Sequence, residues 1–248
     1  MTKFLYILLA SIIPFFVFAQ NKMRPLNELI NTSEPGWELV ETWIKTATNK
    51  VEVLTVDSVK ASTALFQTQV TTRSPMGAIV YSSGGLLIDN GWIRILGSGH
   101  SKLNRSLPEW NKGKTFNKYG EAPPFLLIAD DAVGGFFALN AGGLGKDMGK
   151  IYYLTPDGLK WDALGISYSE FLDFCFNGDI EKFYKGLRWT NWKADVSKLD
   201  GNKVYNFYPY LWTKEGKDIN KNSRKPVPVE EQYSLNMDFK TQLGSNKK

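Results

Sequence analysis

Two stretches of the chain place apolar runs on either side of a turn signal, a pattern that builds antiparallel β-hairpins. In the first stretch, residues 86–96, the turn signal is Asn90-Gly91. Asn-Gly is the strongest two-residue hairpin signal, because both central positions of a type I′ turn need positive φ. In the second stretch, residues 125–139, the apolar runs flank an acidic and glycine-rich segment at 130–135. The sequence therefore predicts two hairpins, with the first turn centred on Asn90-Gly91.

Other segments supply further strands and a helical cover. The apolar spacing and capping signals predict strands near 51–56, 151–164 and 204–212, and helices near 34–47, 57–69 and 168–177. Hydrophobic residues make up 43% of the chain, which is ample for a core, and no linker clearly divides it. We therefore predict a single α+β domain over residues 20–248. Its sheet is mostly antiparallel and curved, built from hairpins and covered by helices.

The N-terminus has the order of features of a secretory signal peptide. Lys3 provides a positive end, an apolar run follows to residue 18, and small residues precede a cut between Ala19 and Gln20. A membrane anchor needs roughly 20 apolar residues, and the run is shorter. We expect residues 1–19 to be removed, so that the mature protein is periplasmic or secreted and has no membrane attachment. Retention as an anchor is the alternative.

Cysteine and histidine, which often act in catalysis or bind metal ions, are scarce in this chain. Cys175 is the single cysteine and lies among phenylalanines, which favours a buried hydrophobe and excludes an internal disulfide. His100 is the single histidine, so a histidine-based triad or a zinc site has few residues to draw on. The glycine loops lack the spacing of phosphate-binding motifs. The sequence therefore predicts no catalytic residues, no metal site and no cofactor.

The charge pattern restricts the class of partner. The net charge of +5 is a mild excess, spread along the chain. Its densest basic cluster, from Lys214 to Lys225 beside two prolines, is typical of a solvated loop. Nucleic-acid binding requires Lys and Arg clustered in a stripe, which this sequence lacks. The expected export of the protein is a second argument against a nucleic-acid partner. The partner predicted for this chain is a protein.

The residues predicted to contact that partner lie on or beside the two hairpins. Trp and Arg are enriched in binding hot spots, and Arg94 lies between two isoleucines of a strand, so its side chain points to the other face. The alternative interpretation puts Arg94 in solvent and Trp92 in the core. It treats Asp130-Asp131 as a turn that bonds local amides. The predicted partner-binding residues are Arg73, Asp89, Trp92, Arg94, His100, Asp130 and Asp131.

Long phrases of the sequence carry a family resemblance. They include QVTTRSPMGAIVYSSGGLLIDNGWIRILGSG, FLLIADDAVGGFFALNAGGLG and GKIYYLTPDGLKWDALGISYSEFLDFCFNGDIEKFY. These phrases resemble the bacterial family known as domain of unknown function 2625, over roughly residues 24–244. The family has no assigned activity and no catalytic residues to carry over. Its members often begin at a segment like residues 23–26 and are expected in the cytoplasm, so the signal peptide is a departure.

A more distant likeness is to SUKH-type immunity and regulatory domains. It covers the middle of the chain, where an apolar strand leads to Gly134-Gly135 and a serine-capped helix begins after Ser167. The likeness implies a curved antiparallel sheet and a domain that binds proteins without doing chemistry. The predicted function is therefore an exported, non-enzymatic protein-binding module. The alternative is an envelope hydrolase that acts on wall or sugar polymers, in which tryptophans stack on sugars.

Overall fold

The computed structural model describes the backbone of residues 23–245 and the side chains of residues 23–243. The predicted signal peptide and its cut between Ala19 and Gln20 lie outside the described residues. The helices are α1 (Leu26–Leu29), α2 (Gly36–Lys45), α3 (Ser58–Thr68), α4 (Pro75–Ser82), α5 (Leu107–Asn111), α6 (Tyr168–Asn177), α7 (Ile180–Phe183), α8 (Trp192–Val196) and α9 (Val229–Ser245). Across the described residues, none of the helices combines the length and the apolar character needed to cross a membrane.

The strands form one large sheet and one small one. The bounds are β1 (Val51–Leu54), β2 (Gly85–Ile88), β3 (Ile93–Leu96), β4 (Phe125–Asp131), β5 (Phe136–Asn140), β6 (Ile151–Leu154), β7 (Trp161–Ala163), β8 (Lys203–Tyr208) and β9 (Ser223–Pro228). The large sheet has the order β1 to β7, so each strand pairs with its neighbour in sequence, always antiparallel. Strands that follow one another in sequence commonly pair, and here they do so even where helices α3 and α4 separate β1 from β2 and helix α5 separates β3 from β4. The predicted α+β class, with an antiparallel sheet built from hairpins and covered by helices, is confirmed.

The first hairpin is confirmed, and its connection consists of two overlapping turns. The Gly91 N–H donates to the Ile88 carbonyl at 3.1 Å, which makes Asp89 and Asn90 the central residues of the first turn. The Trp92 N–H donates to the Asp89 carbonyl at 3.2 Å, so Asn90 and Gly91 are the central pair of the second turn, as predicted. The φ values of Asp89, Asn90 and Gly91 are 47°, 63° and 86°, so the positive φ begins one residue before the predicted pair. Asp and Asn tolerate this region better than other residues with a side chain.

The second hairpin is also confirmed, with a strand longer than predicted. β4 continues through Asp130 and Asp131, which the sequence analysis had placed in the turn. Both side chains are fully buried and each has partners in the protein interior, so the strand can hold them. The turn that follows contains Gly135, where a Cβ atom would clash with the Tyr153 hydroxyl and the Asp131 carboxylate. Only glycine fits at this close approach.

The proline-containing segment near the C-terminus holds strand β9, which the sequence analysis had interpreted as part of a loop. Pro226 pairs with Tyr205, and Pro228 pairs with Lys203. The N–H groups of Tyr205 and Lys203 bond residues outside β9. These two pairs are therefore ones that exchange no hydrogen bonds, and each proline nitrogen faces the free edge of β9. A strand can hold proline in this orientation.

Both faces of the large sheet are covered. Register places Arg94, Asp130 and Phe136 side by side on one face, against which rings of α5 and α9 pack. We call this the α9 face. The opposite face, the α6 face, carries Asp131 and Phe137, and a ring of α6 packs on Phe137. Two covering layers explain why charged residues in the middle of the sheet are excluded from solvent.

Candidate functional site

A buried cluster of charged residues lies on the α9 face. Arg94 is 1% exposed and Asp130 is 0% exposed. One oxygen of Asp130, Oδ1, contacts the Arg94 guanidinium, while Oδ2 accepts from the Arg105 guanidinium. Two cations thus share one carboxylate. The expectation that Arg94 points away from the face of its neighbouring isoleucines is confirmed. Arg94 was predicted to be exposed, either as a partner contact or as a solvated side chain, and this exposure was wrong.

The two arginines also bind backbone carbonyls. Arg94 donates to the Lys203 carbonyl and to the Asp131 carbonyl, both at 2.7 Å. Arg105 donates to the Gly201 carbonyl at 3.0 Å. Burial lowers the pKa of Arg105 below its ordinary value, while Asp130 opposes that shift. The cluster therefore ties the start of β8 to the centre of the large sheet.

Asp131 points to the α6 face, into a different set of partners. Its Oδ2 accepts from the hydroxyls of Tyr153 at 2.6 Å and Tyr184 at 3.0 Å. Its Oδ1 accepts from the N–H groups of Val133 at 3.1 Å and Gly135 at 2.8 Å. Burial raises the pKa of Asp131 above its ordinary value of 3.8, although the hydrogen bonds from Tyr153, Gly135 and Tyr184 and the charge of Arg94 act in the opposite direction. The alternative interpretation predicted that Asp131 bonds local amides, and it does so through Val133 and Gly135. It also placed Asp131 in a turn, whereas the residue lies at the end of strand β4.

Trp92 and Asp89 meet through Arg188, a residue that the sequence analysis did not single out. Trp92 is 0% exposed. The Arg188 guanidinium lies 4.6 Å from the Trp92 ring centroid and 3.9 Å from that of Trp192. The same guanidinium donates to Asp89 at 2.6 Å. Trp92 is thus a core residue, and Asp89 anchors the cation that covers it.

Arg73 and His100 lie apart from this core. Arg73 is exposed and pairs with Glu34 at 2.7 Å. His100 is partly exposed and accepts from the Lys102 N–H at 3.1 Å. Across the described residues, no hydrogen bond or ion pair joins either one to the buried cluster. The seven predicted residues therefore form no continuous surface, because four of them are inside the protein.

Cys175 is fully buried in α6, as predicted. Burial raises the pKa of its thiol well above the ordinary value. A nucleophilic cysteine needs a thiolate and access to substrate, and this residue has neither.

Two open clefts border the buried charges of the α9 face. The first, the hairpin cleft, has a volume of about 390 Å³ and lies between the β2–β3 turn and residues 196–201. Arg94 lines it, with Lys102 and Lys198. The second, the Trp110 cleft, has a volume of about 410 Å³. Its lining includes Asn104, Arg105, Glu109, Trp110, Lys114, Asn202 and Glu230. Both volumes lie within the range of small-ligand sites.

A group of aromatic rings lies partly in solvent at the end of β8. Tyr208 is 71% exposed and contacts Tyr210 edge to face. Tyr210 stacks on Trp212 with 5.4 Å between ring centroids, and Phe239 of α9 packs against both. Large aromatic residues with this exposure are unusual on a surface that has no partner.

Three lysines lie in the same β8–β9 segment as these rings. Lys214 and Lys217 lie on the loop between β8 and β9, and Lys225 lies opposite Asn206 in the register of those strands. Asn206 is two residues from Tyr208, so Lys225 shares its face. Within the described residues, none of the three lysines forms an ion pair. The aromatic–lysine surface consists of Tyr208, Tyr210, Trp212, Lys214, Lys217, Lys225 and Phe239.

Comparison with known proteins identifies the family. Residues 26–232 match the model described as protein of unknown function DUF2625. The chain belongs to this family. It is 44% identical over 218 residues to the uncharacterized protein YbfG of Escherichia coli K12, covering 88% of this chain and 98% of that protein. It is 45% identical over 214 residues to an uncharacterized protein of Haemophilus influenzae Rd, covering 86% of this chain and 94% of that protein.

The DUF2625 resemblance is thus confirmed. No solved structure matches this chain. The likeness to SUKH-type domains therefore stays a prediction.

Sequence reasoning missed several key residues of this DUF2625 chain. Arg105 and Arg188 were not singled out, because the acids that tie them to the hairpins, Asp130 and Asp89, lie 25 and 99 residues away. The aromatic–lysine surface did leave a signal. The aromatic strand and the basic loop after it are adjacent in sequence, but each had been interpreted separately. Their combination within one short segment could have indicated a surface.

Proposed function

We propose that this protein is a non-enzymatic protein-binding module and that its aromatic–lysine surface contacts the partner. The observation that carries the proposal is the exposure of Tyr208 beside a stacked pair, Tyr210 and Trp212. Aromatic residues supply much of the energy at the centre of protein interfaces, and polar or charged residues form the rim. This surface has both parts.

Charge indicates what kind of partner it would be. Six Lys or Arg and two Asp or Glu lie between residues 203 and 225, an excess of four positive charges in a chain whose net charge is +5. Lys221 and Arg224 are paired with acids, which leaves Lys203 and the three lysines of the aromatic–lysine surface without an ion pair in the described structure. The partner that fits is a protein with an acidic surface around an apolar centre. If the predicted signal peptide acts, the two proteins meet in the periplasm or outside the cell.

The hydrolase alternative has less support. A glycoside hydrolase uses two carboxyl groups about 5–10 Å apart that face one substrate. Asp130 and Asp131 are neighbours, but they point to opposite faces of the sheet and both are buried. Glu109 and Glu230 line the Trp110 cleft, yet Glu109 is held in a capping box and Glu230 pairs with Lys114 at 2.9 Å. Both carboxylates are thus already engaged by groups of the protein and not arranged around a common substrate position.

Site-specific photo-crosslinking in the native organism tests the proposal. A benzophenone amino acid replaces Tyr208, and a control carries the same group at Val59, which is 74% exposed on α3. We expect one protein to be crosslinked at position 208 and not at position 59. An absence of adducts at 208, or identical adducts at both positions, would contradict the proposal.

The captured protein is then purified and binding is measured directly. The double change Lys217→Glu and Lys225→Glu should weaken the affinity about tenfold or more, because it replaces two rim cations with acids. The matched control is the double change Lys45→Glu and Lys60→Glu, at exposed lysines of α2 and α3 outside the surface, which alters the net charge equally and should leave affinity unchanged. Equal weakening by both variants would mean that only overall charge matters, and the proposed surface would be wrong.

A further inference from the structure

The Trp110 cleft holds a lysine that is almost removed from water. The side chain of Lys114 is 12% exposed, and its Nζ lies 4.2 Å from the centroid of the Trp110 ring. Its ion-pair partner, Glu230 on α9, is 60% exposed. A cation in such a position needs an acceptor, because an unpaired buried charge is costly. The Glu230 carboxylate supplies this acceptor, and because it is largely exposed it can leave Lys114 and be hydrated at little cost in free energy.

Two further donors of the cleft residues lack acceptors. Arg105 is 8% exposed, and its Nε–H has no partner. Trp110 is 4% exposed, and its indole N–H has no partner either. Both groups can only donate, so a molecule that satisfies them has to supply oxygen acceptors. The Arg105 guanidinium also lies 5.0 Å from the Trp110 ring, so the two side chains are adjacent.

We propose that the Trp110 cleft is a binding site for a small oxyanion, a carboxylate or phosphate group, and that Glu230 occupies the anion position in its absence. The ligand oxygens take the place of the Glu230 carboxylate on Lys114, which leaves Glu230 in solvent. The cleft volume of about 410 Å³ accommodates a ligand larger than the anionic group itself. This site is separate from the aromatic–lysine surface, and neither proposal depends on the other.

Titration of the purified full-length mature chain with sodium phosphate, and separately with sodium acetate, tests the site. Sodium chloride at matched ionic strength controls for screening. The readout is the Trp110 indole N–H resonance in a proton–nitrogen correlation spectrum, assigned by its loss in Trp110→Phe. We expect that at least one of the two anions causes a saturable shift of this resonance in the wild-type protein, which reports on the cleft itself.

Two variants decide whether Glu230 competes with the anion. Glu230→Gln frees Lys114, so it should bind about tenfold more tightly than the wild type. Glu231→Gln, a change of the neighbouring exposed acid, should bind as the wild type does. Because both positions are on the surface of α9, neither change threatens the fold.

A third variant removes the cation. Lys114→Gln should abolish the shift, whereas Lys112→Gln, a change of a nearby exposed lysine, should keep it. A shift with acetate only or with phosphate only supports the site and assigns its ligand class. The absence of a saturable shift in Glu230→Gln with both anions overturns the proposal. So does an equal shift in folded Lys114→Gln.

Discussion

Asp130 and Asp131 are neighbours in one strand, equally buried, and their carboxylates are held in opposite ways. On the α9 face, Asp130 lies between two guanidinium groups, so charge compensates charge. On the α6 face, Asp131 accepts from two hydroxyls and two amides, so dipoles surround it. The alternation of side chains along a strand is what separates the two environments.

The difference shows that equal burial does not imply equal dependence on charge. Removal of the Asp130 charge would leave two buried cations without the carboxylate that both of them contact. Removal of the Asp131 charge would leave neutral groups, and hydroxyls can rotate to bond a new neighbour. The contribution of Asp130 to stability therefore depends on its negative charge. The contribution of Asp131 depends mainly on the shape of its side chain and the positions of its acceptor oxygens.

The largest expected effect is that of Asp130→Asn. The amide cannot neutralise Arg94 and Arg105, and its N–H₂ group would face one of them as a second donor. We expect a loss of about 3–5 kcal/mol in the free energy of unfolding, the cost typical of a broken buried ion pair. Urea denaturation followed by tryptophan fluorescence measures it. A loss below about 1 kcal/mol would show that the stability of the fold does not depend on the charge of Asp130.

Arg105→Met is expected to cost less than Asp130→Asn. The change leaves Arg94 and Asp130 as a one-to-one pair, and methionine fills the space of the arginine stem. The Gly201 carbonyl loses its donor, so we expect a loss of about 1–2 kcal/mol. The same denaturation assay applies. A cost equal to that of Asp130→Asn would show that the arginine contacts, and not the balance of charge, determine the stability.

Asp131→Asn is expected to cost about 1 kcal/mol near neutral pH, because the tyrosine hydroxyls can accept from the new amide. Its pH dependence separates it from Asp130→Asn. Burial raises the folded-state pKa of Asp131 above 3.8, so the folded protein binds that proton more tightly than the unfolded chain does.

The sign of the pH effect follows from this difference. The stabilisation is complete below about pH 3.8, the ordinary pKa of the group, and is lost as pH rises through the folded-state pKa. Since the asparagine does not titrate, the stability of Asp131→Asn relative to the wild type should improve as pH rises from about 4. Denaturation midpoints across a pH series check this. A relative stability that falls with rising pH would mean that the four donors outweigh burial.

The smallest expected effect is that of Tyr184→Phe, which removes one of the four donors to Asp131 and keeps the ring. The hydrogen bond is 3.0 Å long and leaves Asp131 with three other donors, so its loss should cost about 0.5 kcal/mol, the low end for a single hydrogen bond. The same change in an Asp131→Asn background should cost less if the pair is coupled. Additive costs in the double variant would indicate that the hydroxyl matters for another reason.

Local signals predicted the fold more completely than they predicted the site. The hairpins, the capped helix α6 and the burial of Cys175 depend on residues that are close in sequence, and these predictions are confirmed. Helix α4 was not predicted, although Ser74 caps it and Pro75 occupies its first turn. The helix is short and the glycines that follow it drew the interpretation toward the hairpin, so the segment was left unassigned.

The placement of the charged residues could not be predicted from local patterns. Arg94 was predicted to face away from its isoleucine neighbours, and it does. Its burial depends on β8 and α9, which cross that face more than 100 residues later in the chain. Alternation indicates the face on which a side chain lies, but it does not indicate what covers that face.

The prolines of β9 have a consequence for self-association. An unpaired strand edge presents N–H donors that can template a strand from another molecule. On the outer edge of β9, the nitrogens of Pro226 and Pro228 have no hydrogen to donate. A strand from a second molecule would find too few bonds there to start an intermolecular ladder. The small sheet therefore ends at β9 because its prolines lack the N–H groups that a further strand would need. This absence of donors protects the basic β8–β9 region from edge-to-edge polymerisation.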